Sequence, residues 1–183
     1  MSAPAGPPRP GCRSALVVLV PQAEPLVADT RFQHDPAAAE GVPAHVTVLY
    51  PFIPPHRLDE AAVARVAACF AVIPRFGYAL TRVARFPGVL YVAPEPAEPL
   101  RALTLAAWRA FPDFPPYGGR YPDIVPHLTV AATADEAALS RVAAAFAPIA
   151  EAGLPIRAEA REVAMLTDES GPWRTVATFP LGG

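Results

Sequence analysis

The chain contains no lysine, only two cysteines, no long apolar run and almost no net charge. Each absence excludes something. All 15 basic residues are arginine, so any mechanism that needs a catalytic or nucleotidyl-accepting lysine is closed to it. The longest apolar runs, residues 15–20 and 66–73, stop at Pro21 and Pro74, far short of the ~18 residues a membrane span requires. Cys12 and Cys69 match no metal or disulfide pattern, which suits a reducing, cytoplasmic setting. A net charge of −2 does not supply the basic surface that grips long nucleic acid through its phosphates. Among the residues present, 52% are hydrophobic, enough for one domain, or two lobes sharing a core. Residues 1–14, rich in Pro, Gly and Ala, are expected to form a disordered tail and not a signal peptide. Residues 15–183 are expected to form a single bilobal domain.

The chain repeats itself. Residues 59–73 read DEAAVARVAACFAVI and residues 135–149 read DEAALSRVAAAFAPI, with 11 of 15 positions identical. The 38 alanines inflate that count, but Asp59/Asp135, Arg65/Arg141, Phe70/Phe146 and Ile73/Ile149 do not depend on them. AEPL occurs at 23–26 and 97–100, and VPAHVTV at 42–48 faces IVPHLTV at 124–130. Matching blocks in one order predict a duplicated unit of about 80 residues, the first copy over about 15–87 and the second over about 88–183. Two copies are too few for a solenoid, so a pair of lobes about a pseudo-two-fold axis is expected.

Periodicity assigns the elements. Short β-branched runs at 16–20, 45–49, 89–93 and 127–131 predict strands. Val63, Val66, Phe70 and Ile73, like Leu139, Val142, Phe146 and Ile149, fall at helical spacing, with Asp59 and Asp135 placed to cap those helices. A further helix is predicted over 99–111, and alternating strands over 78–86 and 156–166. A last strand at 175–179 is expected to complete the second sheet. The fold class is α+β: two small mixed or antiparallel sheets facing a central cleft, with helices outside.

The chemistry concentrates in His45-Val46-Thr47 and His127-Leu128-Thr129. On a strand, residues i and i+2 share a face, so each lobe presents an imidazole beside a hydroxyl. Two such pairs around one cleft suit phosphodiester chemistry without a metal. One neutral histidine takes a proton from the attacking water or hydroxyl, one protonated histidine gives a proton to the leaving oxygen, and the threonines hold phosphate oxygens. A lone His-x-Thr is usually just a hydrogen-bonded histidine on a strand. The motif found twice, at one place in a duplicated unit, is a stronger sign. His34 and His56 are not duplicated and are read as surface residues. No metal-ligand spacing, nucleophile elbow or phosphate loop is present, so no cofactor is expected.

The two His-x-Thr motifs, inside GVPAHVTVLYPF and VPHLTVA, resemble the signatures of the 2H phosphoesterase superfamily, and of the bacterial 2′-5′ RNA ligase-like proteins within it. The resemblance covers residues 15–181. It implies a metal-independent hydrolase of 2′,3′-cyclic phosphates on nucleotides or RNA ends, with reversible 2′-5′ RNA ligase activity in some members. It also implies His45 and His127 as the catalytic pair, His45 as proton donor and His127 as acceptor, with Thr47 and Thr129 binding substrate. Where such ligases often carry a basic residue before the second motif, this chain has Asp123 and Ile124, an acid expected to repel RNA and favour a small nucleotide-like phosphodiester. The expected partners are that small phosphodiester or an RNA end, with no long duplex and no membrane, for a monomeric protein. The other class of reading is a binding module for a phosphorylated metabolite or RNA end without turnover. Tyr50, Phe52, Tyr117 and Trp173 are candidates to stack a base, with Phe52 beside Pro51 favoured as packing. Arg31, Arg82, Arg85, Arg120 and Arg174 are candidates for a phosphate contact, and residues 29–44 for a loop or lid.

Overall fold

The computed structural model describes residues 11–183. The expected tail lies outside the described residues except at its end. There Ser14 already opens the first strand and Arg13 is bonded to Asp168, so the fold begins before residue 15. Eight strands form two antiparallel sheets. The first has the order β2 (His45–Leu49), β1 (Ser14–Leu19), β7 (Glu162–Thr167), β8 (Arg174–Pro180). The second has the order β5 (Leu128–Ala132), β4 (Val89–Glu95), β3 (Phe76–Phe86), β6 (Ile156–Ala160).

The two orders correspond, strand for strand, but the sequence repeats are not the sheets. Strand β3, from the first repeat, turns directly into β4 with Phe86 opposite Val89. Pro87 followed by Gly88 at φ 77 suits a tight type II turn, and that hairpin carries β3 into the second sheet. The predicted strand 156–166 breaks at Arg161: β6 stays with the second sheet, and β7 crosses to pair with β1. Strand β8 follows β7 and so completes the first sheet, not the second as expected. Each sheet therefore needs both repeats to close.

Helix α1 (Glu24–His34) packs against β5, and α4 (Glu98–Ala110) against β2, so each helix crosses to the opposite lobe. Helices α3 (Glu60–Ala71) and α5 (Glu136–Gly153) lie outside. Asp59 caps α3 through Ala62 N–H at 2.7 Å, and Asp135 caps α5 through Ala137 and Ala138 at 2.9 and 3.0 Å. Their inner faces bury Val66 and Phe70, and Leu139, Val142, Phe146 and Ala150. Ile149, predicted for that face, is 44% exposed.

Residues 29–44, expected as a loop, are largely helical: α1 continues to His34 and a short α2 (Pro36–Ala39) follows. Asp35, extended before Pro36, ends one helix and caps the next through Ala37 N–H at 3.1 Å. Leu16, Leu49, Leu80, Leu90, Phe70 and Phe146 belong to one buried cluster that joins both sheets. Ala15, Val17, Ala164 and Leu166 form a smaller one on the opposite face of the first sheet. Among the described residues no helix is long and apolar enough to cross a membrane.

Candidate active site

Strand alternation builds the site. In β2, Val46 and Val48 are buried while His45 and Thr47 turn to the other face. In the second lobe Leu128 and Val130 are buried, with His127 and Thr129 on the other face; His127, predicted to lie on the strand, stands just before β5. The alternation delivers all four side chains to one cavity of about 270 Å³ between the sheets.

The imidazoles are held in matching ways. His45 Nδ1 is 2.8 Å from the carbonyl of Pro43, and His127 Nδ1 is 2.8 Å from the carbonyl of Val125. A carbonyl only accepts, so each Nδ1 carries the hydrogen and each Nε2 is left for substrate. The lead into His45 is clamped further. Ala44 N–H donates to Glu24 at 2.6 Å, Val20 N–H donates to the carbonyl of Ala44 at 2.8 Å, and buried Arg31 donates to the carbonyl of Val42 at 3.1 Å. Burial pushes His45 down to about 4, aided by the charge of Arg31 and by His127, against the bond to Pro43. His127 is also lowered by burial, against its bond to Val125.

Tyr117 belongs to both motifs. It sits in the turn Pro116–Gly119 and is the one non-glycine described residue with positive φ, at 52°. Its N–H donates to the carbonyl of Tyr50 at 2.6 Å. Its ring lies stacked with that of His127, centroids 6.3 Å apart and planes 23° from parallel. Burial raises the pKa of its phenol, with Thr47 acting in the opposite direction.

Sequence reasoning missed the cation in the cleft. Arg13, assigned to the tail, lines the cavity with Glu40. Its Nε donates to Asp168 at 2.7 Å and its Nη2 to Glu40 at 2.7 Å, and the guanidinium lies 5.1 Å from the Trp173 ring centroid. Trp173 Nε1 donates to Glu40 at 3.0 Å, and this bond, with Arg13, holds the carboxylate below its usual pKa. Trp173 is 8% exposed and covered by Arg13, so it is a strut of the wall and not the expected stacking platform. Tyr50, edge-on to Trp173, does face the cavity. Phe52 packs against Phe111 and Phe114.

None of the five arginines proposed for phosphate lines the cavity. Arg31 is buried against Asp35, Arg82 and Arg85 pair with Glu95 and Glu136, and Arg120 and Arg174 are exposed. Asp123 is exposed and away from the cavity, so the acid expected to repel RNA does not act there. His34 and His56 are exposed and outside it. Among the described residues no three His, Cys, Asp or Glu side chains are grouped to hold a metal, and both cysteines are free.

A family model described as the 2′-5′ RNA ligase superfamily matches residues 19–172, a span that holds both motifs. Several solved structures share the fold. The Escherichia coli LigT complex with NADP+ matches with a TM-score of 0.59 at 13% identity, over 97% of this chain and 100% of that one. LigT complexed with ATP gives 0.60 at 15% identity, over 93% and 98%. A Thermus thermophilus protein gives 0.58 at 18% identity, over 93% and 98%. No curated protein sequence matches.

Proposed function

The chain belongs to the 2′-5′ RNA ligase superfamily, and we propose that it is a phosphodiesterase that hydrolyses 2′,3′-cyclic phosphates of nucleotides or RNA ends by acid-base catalysis between His45 and His127, without a metal or cofactor. One observation carries the reading. Two imidazoles, each with Nδ1 tied to a backbone carbonyl, present two free Nε2 atoms to a single cavity that also holds Thr47 and Thr129.

The cyclic phosphate sits between the rings with its nonbridging oxygens on the two hydroxyls. One Nε2 takes a proton from water as the water oxygen attacks phosphorus. The other gives its proton to the ribose oxygen as the P–O bond breaks, leaving a phosphomonoester. The threonine hydroxyls stabilise the charge that develops on the nonbridging oxygens. With a ribose 5′-hydroxyl in place of water as the nucleophile, the same steps join RNA ends through a 2′-5′ linkage: the 5′ oxygen bonds to phosphorus as the bond to the 3′ oxygen breaks and that oxygen takes a proton. With no lysine to accept a nucleotide, any joining is this ATP-independent transfer. The NADP+, ATP and 3′-AMP complexes of LigT support a small nucleotide-like ligand for the cleft.

The pH dependence follows from the surroundings of the histidines. Catalysis needs one imidazole protonated and one neutral, and burial lowers both below the usual value of about 6.5. The kcat/KM profile is therefore expected to be bell-shaped with its optimum on the acid side of pH 6.5. It falls toward alkaline pH as the acid loses its proton. In the substrate complex the phosphate anion favours both imidazolium forms, so the kcat optimum lies at higher pH than that of kcat/KM. Initial rates between pH 4 and 9 on nucleoside 2′,3′-cyclic phosphates test this, and a kcat/KM optimum on the alkaline side of pH 6.5 contradicts it. Tight binding of these compounds without product on a broad panel would instead favour the binding-module reading.

A further inference from the structure

We propose that the substrate is the 3′ end of an RNA strand, and that a groove between α1 and α5 takes the nucleotide on the 5′ side of the cyclic phosphate, its base held by Phe32 and the guanidinium of Arg141. This rests on the cyclic phosphodiesterase reading of the neighbouring cavity and names its substrate class.

The groove has a volume of about 560 Å³, against about 270 Å³ for the catalytic cavity. Its walls come from the end of α1, the Asp35-Pro36 corner, the end of β5 and one stripe of α5. That stripe, Ala138, Arg141, Val142 and Ala145, follows helical spacing, and its small alanines leave room beside the arginine. The two spaces adjoin, because Asp35 and Pro36 line both. Strand β5 leads from one to the other, with Thr129 in the cavity and Ala132 and Thr133 in the groove. The four residues from Thr129 to Thr133 cover about 13 Å of extended chain, within the reach of a short oligonucleotide.

The groove suits a nucleotide in charge and surface. Asp35 is its one carboxylate, and it is committed to Arg31 and to the N–H of Ala37. Arg141 forms no salt bridge among the described residues; Asp135, the cap of α5, is the group that feels its charge. Phe32 stands 73% exposed on the facing helix.

The repeat points to the occupant. Arg141 in α5 corresponds to Arg65 in α3, and α5 packs on α1 as α3 packs on α4. Helix α4 has 13 residues against 11 in α1, and the residue that ends it, Phe111, lies under Arg65 with the guanidinium 4.9 Å from the ring centroid. Phe52 meets Phe111 edge-on. The first copy of the arginine thus receives a ring from its own chain. After α1 the chain turns at Asp35 and Pro36 into α2, and among the described residues no ring lies over Arg141. A place filled from within in one copy is open in the other. An unstacked base at the end of a single strand is a flat ring that stacks on guanidinium planes and aromatic faces. A phosphate alone would use Arg141 and leave Phe32 idle.

The test compares kcat/KM for adenosine 2′,3′-cyclic phosphate and for the trinucleotide ApApA ending in a 2′,3′-cyclic phosphate. Wild-type protein is expected to favour the trinucleotide by about tenfold or more. Phe32→Ala and Arg141→Ala, both at exposed positions, should lose most of that preference and leave the mononucleotide rate unchanged. Arg141→Lys keeps the charge without the planar group and should lose it as well. Equal kcat/KM for the two probes in the wild type, an alanine variant that slows both alike, or a lysine variant with full preference would overturn the proposal. So would an Arg141-dependent dimer in sedimentation velocity, which would place a second copy in the groove. Should neither probe be cleaved, the hydrolytic reading falls and calorimetric titration with ApApA bearing a 3′-phosphate decides the groove: weaker binding by Arg141→Ala supports it, and equal binding overturns it.

Discussion

Replacing either His45 or His127 with alanine is expected to lower kcat on a 2′,3′-cyclic phosphate by about 10²- to 10⁴-fold, the usual contribution of one positioned acid or base. KM should change little, because the hydroxyls of Thr47 and Thr129 remain to hold the phosphate. The two losses should not multiply. Water attack and leaving-group departure belong to one displacement at phosphorus, so the double variant should be only slightly worse than either single one. Glutamine at each position serves as a control, filling most of the volume and keeping a hydrogen-bond donor while removing the titrating ring. Initial-rate kinetics on all five variants, with circular dichroism to verify folding, make the comparison. A folded single variant that keeps more than about a tenth of wild-type kcat would show that its histidine is not a proton-transfer group.

The largest stability effect is expected at Arg31, buried behind the wall of the cavity that its partner Asp35 lines. Its guanidinium is 2% exposed and pairs with Asp35, 5% exposed, through Nε and Nη2 at 3.1 and 3.0 Å, while Nη2 also reaches the carbonyl of Val42. Arg31→Met leaves the Asp35 carboxylate buried without its partner, and breaking such a pair from one side costs about 3–5 kcal/mol. Arg31→Met with Asp35→Leu should recover most of that loss, since no lone charge remains, less about 1 kcal/mol for the cap that Asp35 gives α2. Urea unfolding of both variants reads the difference. A loss below about 1 kcal/mol in the single variant would mean that water or a rearranged side chain reaches Asp35.

The same arginine shows why part of the fold was hard to read from the chain. Helix α1 buries only Val27 and Arg31, so it lacks the apolar stripe that marked α3 and α5, and residues 29–34 read as loop. The exchange of strands left one mark in the run 156–166, which reads as a single strand: its alternation ends at Arg161 and Glu162, two polar residues in a row before four apolar ones, and there the change of partner divides it between sheets. Arg13 was misplaced because a proline-rich start reads as tail, whereas its role depends on Asp168 and Glu40, 155 and 27 residues away. In contrast, the two motifs were legible at once. A period-2 alternation and a repeat are local properties of sequence, and the face each side chain takes on a strand follows from them.

The claim that this cavity hydrolyses a cyclic phosphate is tested most directly by ³¹P NMR of nucleoside 2′,3′-cyclic phosphates incubated with the protein in excess EDTA. The cyclic phosphate resonance is expected to give way to that of a phosphomonoester, unaffected by the chelator, with the wild-type protein but not with His45→Ala or His127→Ala. A cyclic phosphate resonance that persists across the panel, or a conversion that stops when EDTA is added, would contradict the account.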